Sequence, residues 1–307
     1  MNGYKKILKL KIIMIKNLKQ NIDVSNLSNF KTKAFTKYFF EISTIEDIYL
    51  LDEILNFSIK NNLKTLFIWA WTNLLFAFDS FDWIIIKNNL KWFFYNQKTN
   101  ILEVYSDELI TQVALKLEND FNQNIWHRFI WLPWSVWWWV FWNAWCFWLE
   151  MENNFLKCEV YNFETKKIEV ISKNKANFSY RSSIFKETWK YFIIKVFFDL
   201  SKVIEKYSSD VDNIKFREEI QPKWNSCWSF FKNPSKENTA WSLIEQVWLK
   251  WFIYNSAYFS DKHANFLMTN KDFWNYNDLI YLIDLVQNKV LEKFDIKLEP
   301  EVRIIKN

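Results

Sequence analysis

Glycine is almost absent from this chain, whose 307 residues include only Gly3. At the usual frequency of about 7% a chain of this length would carry roughly 21 glycines. Tryptophan departs in the opposite direction, with 20 residues. Loops that adopt a left-handed backbone, or that approach a ligand closely, ordinarily rely on glycine because it has no Cβ atom. Taken literally, the chain lacks the residue from which such loops are built.

Cysteine and histidine are also scarce, at three and two residues. The cysteines are odd in number and have no CxxC spacing, which argues against both a disulfide framework and a zinc site. Two histidines give little material for any other metal centre, so we predict no metal site. Cys227 has no histidine beside it in the sequence, and we therefore interpret it as a small packing residue.

Charge and hydropathy do not indicate a nucleic-acid or membrane partner for this chain. The net charge of +5 is a mild excess spread along the sequence. Lysines cluster in residues 1–20, a basic N-terminal extension that we interpret as a solvated helix face and not as a nucleic-acid or membrane surface. The longest apolar run there is Ile12–Ile15, and no small-residue cleavage site follows it. These observations predict a cytoplasmic protein that does not bind nucleic acid. We also expect a monomer.

The stretch Phe129–Trp148, FIWLPWSVWWWVFWNAWCFW, is twenty residues without a charge, which is the length of a membrane span. Its neighbours are amphipathic and charged, so we predict no span. With glycine in place of tryptophan the same stretch becomes FIGLPGSVGGGVFGNAGCFG, a glycine loop. We therefore hypothesise that tryptophan stands at positions that are glycine in the living protein.

A reassigned UGA codon would explain the exchange, since some bacterial lineages translate UGA as glycine and others as tryptophan. The chain is crowded with Lys, Asn, Ile and Phe and has four arginines, as expected from an AT-rich genome. The alternative is a truly tryptophan-rich membrane or sugar-binding protein. The codon at Trp137 separates the two, because UGG there would exclude the glycine hypothesis.

Sequence periodicity predicts a mixture of helices and strands. A capping box at Ser43-Thr44-Ile45-Glu46 should open a helix of about fifteen residues, and Leu63–Ile68 reads as a strand that enters a glycine turn at Trp69–Leu75. The region from Phe155 to Leu200 is dominated by strands. Thr239 should cap a later helix, and Asp278–Phe294 has apolar residues at helical spacing.

Four separated blocks, with tryptophan replaced by glycine, together resemble one family, the UDP-N-acetylenolpyruvoylglucosamine reductases. The likeness runs from about Leu27 to the C-terminus, and the long glycine block and SFFKNP are its most specific parts. The blocks are GAGTNLL (Trp69–Leu75), GLPGSVGGGVFGNAGCFG (Trp131–Trp148), YRSSIFK (Tyr180–Lys186), and CGSFFKNP (Cys227–Pro234) together with LEPEVRII (Leu298–Ile305).

The resemblance implies an α+β fold. Residues 21–200 would form an FAD-binding part of the vanillyl-alcohol-oxidase/PCMH type, with subdomains at about 21–87 and 88–200, and residues 201–307 an α+β substrate-binding domain. FAD would lie between the subdomains with its pyrophosphate cradled by glycine loops. The implied cofactor-binding residues are Trp69, Ala70, Trp71, Thr72, Asn73, Leu74, Pro133, Trp134, Ser135, Val136, Trp137, Asn143, Ala144 and Trp145.

The resemblance also implies the chemistry. NADPH would reduce the flavin, and flavin N5 would then pass hydride to UDP-N-acetylglucosamine enolpyruvate, giving UDP-N-acetylmuramate for peptidoglycan. Arg181 would stabilise the enolate together with Glu301, the latter protonated or sharing a proton, and Ser229 would deliver the proton that completes the reduction. The residues implied to bind substrate are Tyr180, Arg217 and Asn233.

Three features depart from the family pattern. Lys33-Ala34-Phe35 stands where many members have a glycine pair, and Ser182 replaces an acid. The short interval from Arg181 to Ser229 resembles the second type of the family, which lacks the loop whose tyrosine covers the substrate. Another FAD-dependent oxidoreductase of the same fold is the alternative function. We also expect the tryptophan chain to be crowded around Trp131–Trp148 and unable to bind FAD.

Overall fold

The computed structural model describes residues 17–69, 73–132, 134–146, 149–201, 215, 226–270 and 275–307. Its residues fall into two compact units that interleave along the chain. The first unit takes Met1–Lys19, Phe39–Ala70 and Trp83–Phe216, and the second takes Gln20–Tyr38, Trp71–Asp82 and Arg217–Asn307. The predicted extension at 1–20 and the polar connector at 203–219 lie almost wholly outside the described residues.

The strands are short and number seventeen among the described residues. They are β1 (Lys19–Asp23), β2 (Phe35–Ile42), β3 (Thr65–Ile68), β4 (Leu74–Phe76), β5 (Ser80–Asn88), β6 (Phe93–Asn96), β7 (Ile101–Tyr105), β8 (Trp145–Cys146), β9 (Leu149–Glu150), β10 (Phe155–Asn162), β11 (Lys167–Ser172), β12 (Tyr191–Asp199), β13 (Ser226–Ser229), β14 (Ile253–Tyr254), β15 (Ala257–Phe259), β16 (Phe266–Thr269) and β17 (Arg303–Ile305).

The helices are fewer, and most of them are one or two turns long. They are α1 (Ile45–Ile48), α2 (Leu51–Lys60), α3 (Ile110–Phe121), α4 (Val136–Phe141), α5 (Met151–Asn154), α6 (Lys173–Ala176), α7 (Ile184–Thr188), α8 (Ala240–Gln246) and α9 (Tyr276–Phe294), with 3-10 turns at Ser25–Leu27 and His127–Phe129. Helices and strands are mixed in both units, so the predicted α+β class is confirmed.

The first unit contains a five-stranded antiparallel sheet in the order β11-β10-β12-β7-β6. Buried and partly exposed residues alternate along its strands. In β7, for example, Leu102 and Val104 are fully buried and their neighbours are not. Successive strand residues point to opposite faces, so this alternation gives the sheet one apolar face. In the same unit β3 pairs with β5 in parallel register, Thr65 opposite Ile84.

The second unit is built on an antiparallel sheet in the order β13-β16-β15-β14. Helix α9 supplies the main apolar stripe of its core through Leu279, Leu282, Val286 and Val290, which are all fully buried. The predicted stripe is confirmed, with a helix that begins at Tyr276, two residues before the predicted start. The core also takes in residues from distant segments, namely Phe30 and Leu75.

The capping box begins at Thr44, one residue after the predicted start at Ser43. Thr44 is the N-cap, its hydroxyl accepts the Asp47 amide proton at 3.4 Å, and the Asp47 carboxylate accepts that of Thr44 at 2.9 Å. The fifteen-residue helix is also wrong as one element, because it is divided into α1 and α2 at Tyr49 and Leu50. Thr239, the other predicted cap, is the N-cap residue of α8 as predicted, although its side chain makes no capping hydrogen bond.

The uncharged stretch Phe129–Trp148 does not form one helix. Its described residues are divided among a 3-10 turn, the six-residue α4 and the two-residue β8. Across the described part of the chain, no helix combines the length and the apolar character needed to cross a membrane.

Candidate active site

In the second unit, the segment that carries Ser229 is hydrogen-bonded to the segment that carries Glu301. Lys232 donates its amide proton to the Glu299 carbonyl at 2.9 Å, and Glu301 donates its own to the Phe230 carbonyl at 2.7 Å. Phe231 and Pro300 are the bridging pair between these bonds. Two predicted catalytic residues from opposite ends of the unit's longest segment are thereby brought to adjacent backbone.

The predicted glycine turn, Trp69–Leu75, ends next to the segment that follows Glu301. The amide of Arg303 donates to the Asn73 carbonyl at 2.9 Å, and β17 continues alongside β4 in parallel register. The Leu74 carbonyl accepts from the Ser28 hydroxyl at 2.7 Å and from the Cys227 thiol at 3.5 Å. Two of the four blocks of the resemblance, GAGTNLL and the pair CGSFFKNP and LEPEVRII, therefore meet within the second unit. The remaining residues of the turn, Ala70 to Thr72, lie outside the described residues.

Cys227 is fully buried in β13, two residues before Ser229. Burial is the main cause that raises the pKa of its thiol to about 12. A thiol of that pKa remains protonated at neutral pH, and the thiolate is the nucleophilic form. The interpretation of Cys227 as a packing residue is confirmed.

Asn265 holds the backbone that follows Ser229 and was not singled out from the sequence. Its side-chain oxygen accepts the Phe231 amide proton at 2.9 Å, and its side-chain nitrogen donates to the Phe231 carbonyl at 2.8 Å. Its own carbonyl accepts from the Phe230 amide at 2.7 Å. A lone Asn in His-Ala-Asn-Phe carries no motif, so only its position reveals this role.

Asn233, predicted to bind substrate, has a structural contact in this unit. Its side-chain oxygen accepts the amide proton of Ala240, the first residue of α8, at 2.9 Å. This bond satisfies one of the amide groups that every helix leaves open at its start. Arg217, the other substrate-binding prediction of the second unit, lies outside the described residues.

In the first unit, Tyr180 and Arg181 occupy the tip of a tight turn. Ser179 and Ser182 exchange backbone hydrogen bonds of 3.1 and 3.0 Å around them. Tyr180 is 84% exposed, and Arg181 has a left-handed φ of 55°. A non-glycine residue in this region is held there at some cost by its surroundings, a pattern that often accompanies function.

Asn143, predicted to bind the cofactor, connects the long glycine block to that turn. Its side-chain nitrogen donates to the Ser179 carbonyl and to the Glu150 carboxylate, both at 3.1 Å. Its side-chain oxygen accepts the Glu152 amide proton at 3.1 Å. Since the side chain is buried and its polar atoms are engaged within the unit, Asn143 positions the Arg181 turn.

The start of α4 is likewise engaged with its own unit. Val136 and Trp137 donate their amide protons to the Glu108 and Ser106 carbonyls at 2.9 and 2.8 Å. The Ser135 hydroxyl caps the helix by accepting from the Trp138 amide at 3.4 Å. These two amides of the predicted phosphate cradle are therefore directed at protein carbonyls.

Two indole rings from the predicted cradle stack on each other in the first unit. Trp69 and Trp137, called the indole pair below, stack with ring centroids 3.6 Å apart and planes 9° apart. Both are buried, and the Nε1 group of each lacks a hydrogen-bond partner. The expected crowding is confirmed at Trp139 too, whose buried Nε1 is unpartnered and whose ring centroid is 3.7 Å from that of Phe129. Aromatic pairs prefer separations of about 4.5–7 Å.

FAD does not fit these residues. A phosphate cradle requires backbone amides open to the ligand and no Cβ atom in the way, whereas two of its predicted residues carry buried, stacked indoles and two of its amides are bonded to protein carbonyls. Trp134, Ala144 and Trp145, the other described cofactor-binding predictions of this block, belong to the same compact stretch. The tryptophan form of the chain and the cofactor implied by the resemblance are in conflict.

Comparison with solved structures defines the class of the fold. The chain is similar to the crystal structure of UDP-N-acetylenolpyruvylglucosamine reductase from Thermus caldophilus, with a TM-score of 0.70 and 18% sequence identity. The match covers 94% of this chain and 100% of that one. The protein is thus an α+β protein with the fold of this reductase.

Sequence comparison then gives the family. A family model described as UDP-N-acetylenolpyruvoylglucosamine reductase, C-terminal domain, matches residues 221–305. The chain is 31% identical over 293 residues to the reductase of that name from Prochlorococcus marinus subsp. pastoris, covering 94% of this chain and 96% of the relative. The protein belongs to the UDP-N-acetylenolpyruvoylglucosamine reductase family, which consists of oxidoreductases.

Other relatives match over different lengths. The Aquifex aeolicus protein of the same name is 28% identical over 295 residues, which is 95% of its length. A relative from Fervidobacterium nodosum is 37% identical over 178 residues, and the chain spans only 57% of that protein.

Proposed function

We propose that this chain, in a form with glycine in its loops, reduces UDP-N-acetylglucosamine enolpyruvate to UDP-N-acetylmuramate, a precursor of peptidoglycan. The observation that carries the proposal is the pairing of the Ser229 and Glu301 segments inside the region that matches the family's C-terminal domain. Family membership supports the reaction class, and the names of the relatives support the substrate.

FAD and NADPH belong to this proposal. When bound to the glycine form, FAD would supply hydride from N5, and NADPH would reduce the flavin. The described residues of the predicted cradle do not fit this cofactor in the tryptophan form, so the steps below concern only groups of the chain itself.

Ser229 is proposed to donate the proton that completes the reduction. It ends β13, and hydrogen bonds from Phe230 and Phe231 to Asn265 fix the backbone that follows it. A hydroxyl is a weak acid, and it can serve only if the surroundings hold its proton in position. Rigid backbone on the C-terminal side of Ser229 supports such positioning.

Arg181, and Glu301 in a protonated or proton-sharing form, are proposed to stabilise negative charge on the substrate as hydride arrives. Arg181 is presented at a turn tip, and Glu301 is exposed just before β17. Donors directed at developing charge often make the largest contribution to catalysis. Tyr180, Arg217 and Asn233 remain proposed substrate contacts, and a monomer remains the proposed state.

The test uses a chain with glycine at all twenty tryptophan positions. We expect NADPH oxidation that depends on the enolpyruvyl nucleotide, and a fall in kcat of about 10²–10⁴ for Ser229→Ala. The matched control is Ser235→Ala, in the same segment, with turnover unchanged. NADPH oxidation that is indifferent to the nucleotide would favour another oxidoreductase of the same fold, and unaltered kcat in Ser229→Ala would reject the proton-donor role.

A further inference from the structure

Five tryptophans have left-handed backbone conformations. Their φ angles are 69° at Trp131, 54° at Trp189, 68° at Trp228, 61° at Trp248 and 67° at Trp251. The chain has 30 Phe and 13 Tyr, yet in the described ranges neither type has a positive φ. Since Phe, Tyr and Trp meet the same steric obstacle in this region, tryptophan here behaves unlike an aromatic residue.

Trp248 illustrates the geometry most completely. It follows α8, and its amide donates to the Glu245 carbonyl at 2.9 Å while the Leu249 amide donates to the Ile244 carbonyl at 3.2 Å. These two bonds define a Schellman motif, whose left-handed residue is usually glycine. Trp189 ends α7 in the same conformation, with its amide bonded to the Phe185 carbonyl at 3.2 Å.

Trp131 and Trp251 are the third residues of hydrogen-bonded turns. The Leu132 amide donates to the Phe129 carbonyl at 3.1 Å, and the Phe252 amide donates to the Leu249 carbonyl at 3.1 Å. In the first of these turns Ile130 has φ −59° and ψ 139°. A left-handed residue after such angles makes a type II turn, which favours glycine at its third position.

Trp228 forms a β-bulge directly before Ser229. Ser226 is opposite Met268 and Ser229 opposite Phe266, so β13 has one more residue than β16 between these pairs. A bulge with a left-handed residue ordinarily uses glycine. The position of the proposed proton donor thus depends on a residue whose backbone suits glycine.

We propose that the form of this protein made in its own cells has glycine at these five left-handed positions and at positions 69 and 137. At the five positions the left-handed backbone, where a bulky side chain is disfavoured, favours glycine. At the last two, removal of the indole pair opens the loop that the family resemblance assigns to FAD, and this part rests on the proposed function.

The backbone part is tested by comparing Gly with Ala at two sites of one helix. Trp248→Gly should melt roughly 2–4 °C above Trp248→Ala, because Ala retains the Cβ atom that the left-handed conformation disfavours. At Trp241, which lies within α8, the order should reverse, since glycine weakens helix interiors. If the tryptophan background does not fold, the same exchanges are made in the all-glycine chain. Alanine equal to or better than glycine at position 248 would overturn this part.

The residue made in cells is tested by mass spectrometry of protein from its own organism. The tryptic peptide Glu237–Lys250 contains positions 241 and 248. Glycine at position 248 is expected, and tryptophan there would overturn the proposal whatever the melting temperatures.

The cofactor part is tested by flavin content after purification and by titration with FAD. The all-glycine chain should bind FAD, as should a control that keeps tryptophan at the exposed positions 92 and 241. A chain that keeps tryptophan only at 69 and 137 should bind at least tenfold more weakly, and stoichiometric flavin in it would contradict the inference. Flavin binding without nucleotide-dependent NADPH oxidation would contradict the proposed function and leave the inference standing.

Discussion

Asn265 is the side chain that most directly fixes the backbone after Ser229. It is buried and pairs with both backbone polar groups of Phe231. A buried amide or carbonyl left without a partner costs about 1–3 kcal/mol. Asn265 should therefore contribute both to the stability of the second unit and to the placement of the proposed proton donor.

Asn265→Ala should lower the free energy of unfolding by about 1–3 kcal/mol for each of the two Phe231 groups that lose their partner. Urea denaturation of the full chain measures this change. Asn265→Asp keeps an acceptor for the Phe231 amide but places a buried carboxylate against the Phe231 carbonyl, so at neutral pH it should destabilise the protein at least as much as Asn265→Ala. Stability close to wild type in Asn265→Ala would contradict the hydrogen-bond explanation.

His263, which is hydrogen-bonded to Asn265, should make the stability of this region depend on pH. Its Nδ1 accepts the Asn265 amide proton at 3.3 Å, and its ring packs on Phe266 with centroids 4.7 Å apart. Burial is the largest cause that lowers the pKa of His263 below its usual value of 6.5. The unfolded state consequently binds a proton more readily than the folded state.

The sign of the pH effect follows from that difference. The contribution of His263 to stability is complete above the unfolded pKa of about 6.5 and is lost as pH falls through the lower folded-state pKa. We expect the free energy of unfolding to decrease from pH 7.5 to pH 5.5, and less so in His263→Gln. An identical decrease in wild type and variant would show that His263 is not responsible.

At the scale of single elements, the start of α1 gives different roles to two neighbouring hydroxyl residues, Ser43 and Thr44. Thr44 caps the helix and exchanges bonds with Asp47. The sequence pattern pointed equally to Ser43, because Ser43 and Glu46 have the same spacing as Thr44 and Asp47. Spacing alone cannot choose between two adjacent boxes, whereas the backbone conformation of the cap residue does.

Thr44→Ala should destabilise the protein by about 1 kcal/mol, as expected for the loss of an N-cap side chain. Ser43→Ala is the matched control and should leave stability within about 0.5 kcal/mol of wild type, as usual for surface substitutions. Thermal or urea unfolding of both variants provides the comparison. A larger loss of stability in Ser43→Ala than in Thr44→Ala would favour the capping box predicted from the sequence, with Ser43 as the cap.

For the whole molecule, the second unit is assembled from three separate segments. Its core includes Phe30 from the first, Leu75 from the second and helix α9 from the last. Strand β17 pairs with β4, and the Thr269 hydroxyl donates to the Phe30 carbonyl at 3.1 Å. The predicted boundary at residue 201 would remove two of these segments from a C-terminal fragment.

A fragment of residues 201–307 should therefore not fold by itself, in either its tryptophan or its glycine form. It lacks Phe30, Leu75 and the strand partner of β17, so part of its apolar core would be exposed to water. Amide dispersion in a two-dimensional NMR spectrum is the measurement, with the full chain as reference. A well-dispersed fragment spectrum would show that the C-terminal domain is autonomous.

Local pattern predicted much of the fold. The α9 stripe follows from helical spacing, and the antiparallel strands between Phe155 and Asp199 follow from alternation. The interruption between α1 and α2 could not be predicted, since Tyr49 and Leu50 contain no helix breaker. Asn265 was missed because its value lies in contacts made across long separations in the chain.

The sequence by itself determined the class of the protein. Short blocks such as SFFKNP are specific enough to indicate a family even where tryptophan replaces glycine, because the intervening residues are unchanged. The deficit of glycine also pointed to the exchange, since loops of this kind need residues without a Cβ atom. Both conclusions depend on which residues are present and not on where they lie in space.

Only the tertiary structure decided which tryptophans conflict with the fold and why. Five conflict through the backbone, because φ is set by the helix ends, turns and bulge in which they lie. The indole pair conflicts through volume, because Trp69 and Trp137 are far apart in sequence and meet only after folding. Composition indicates that glycine is missing, but dihedral angles and packing arise only in the folded chain and identify the positions that need it.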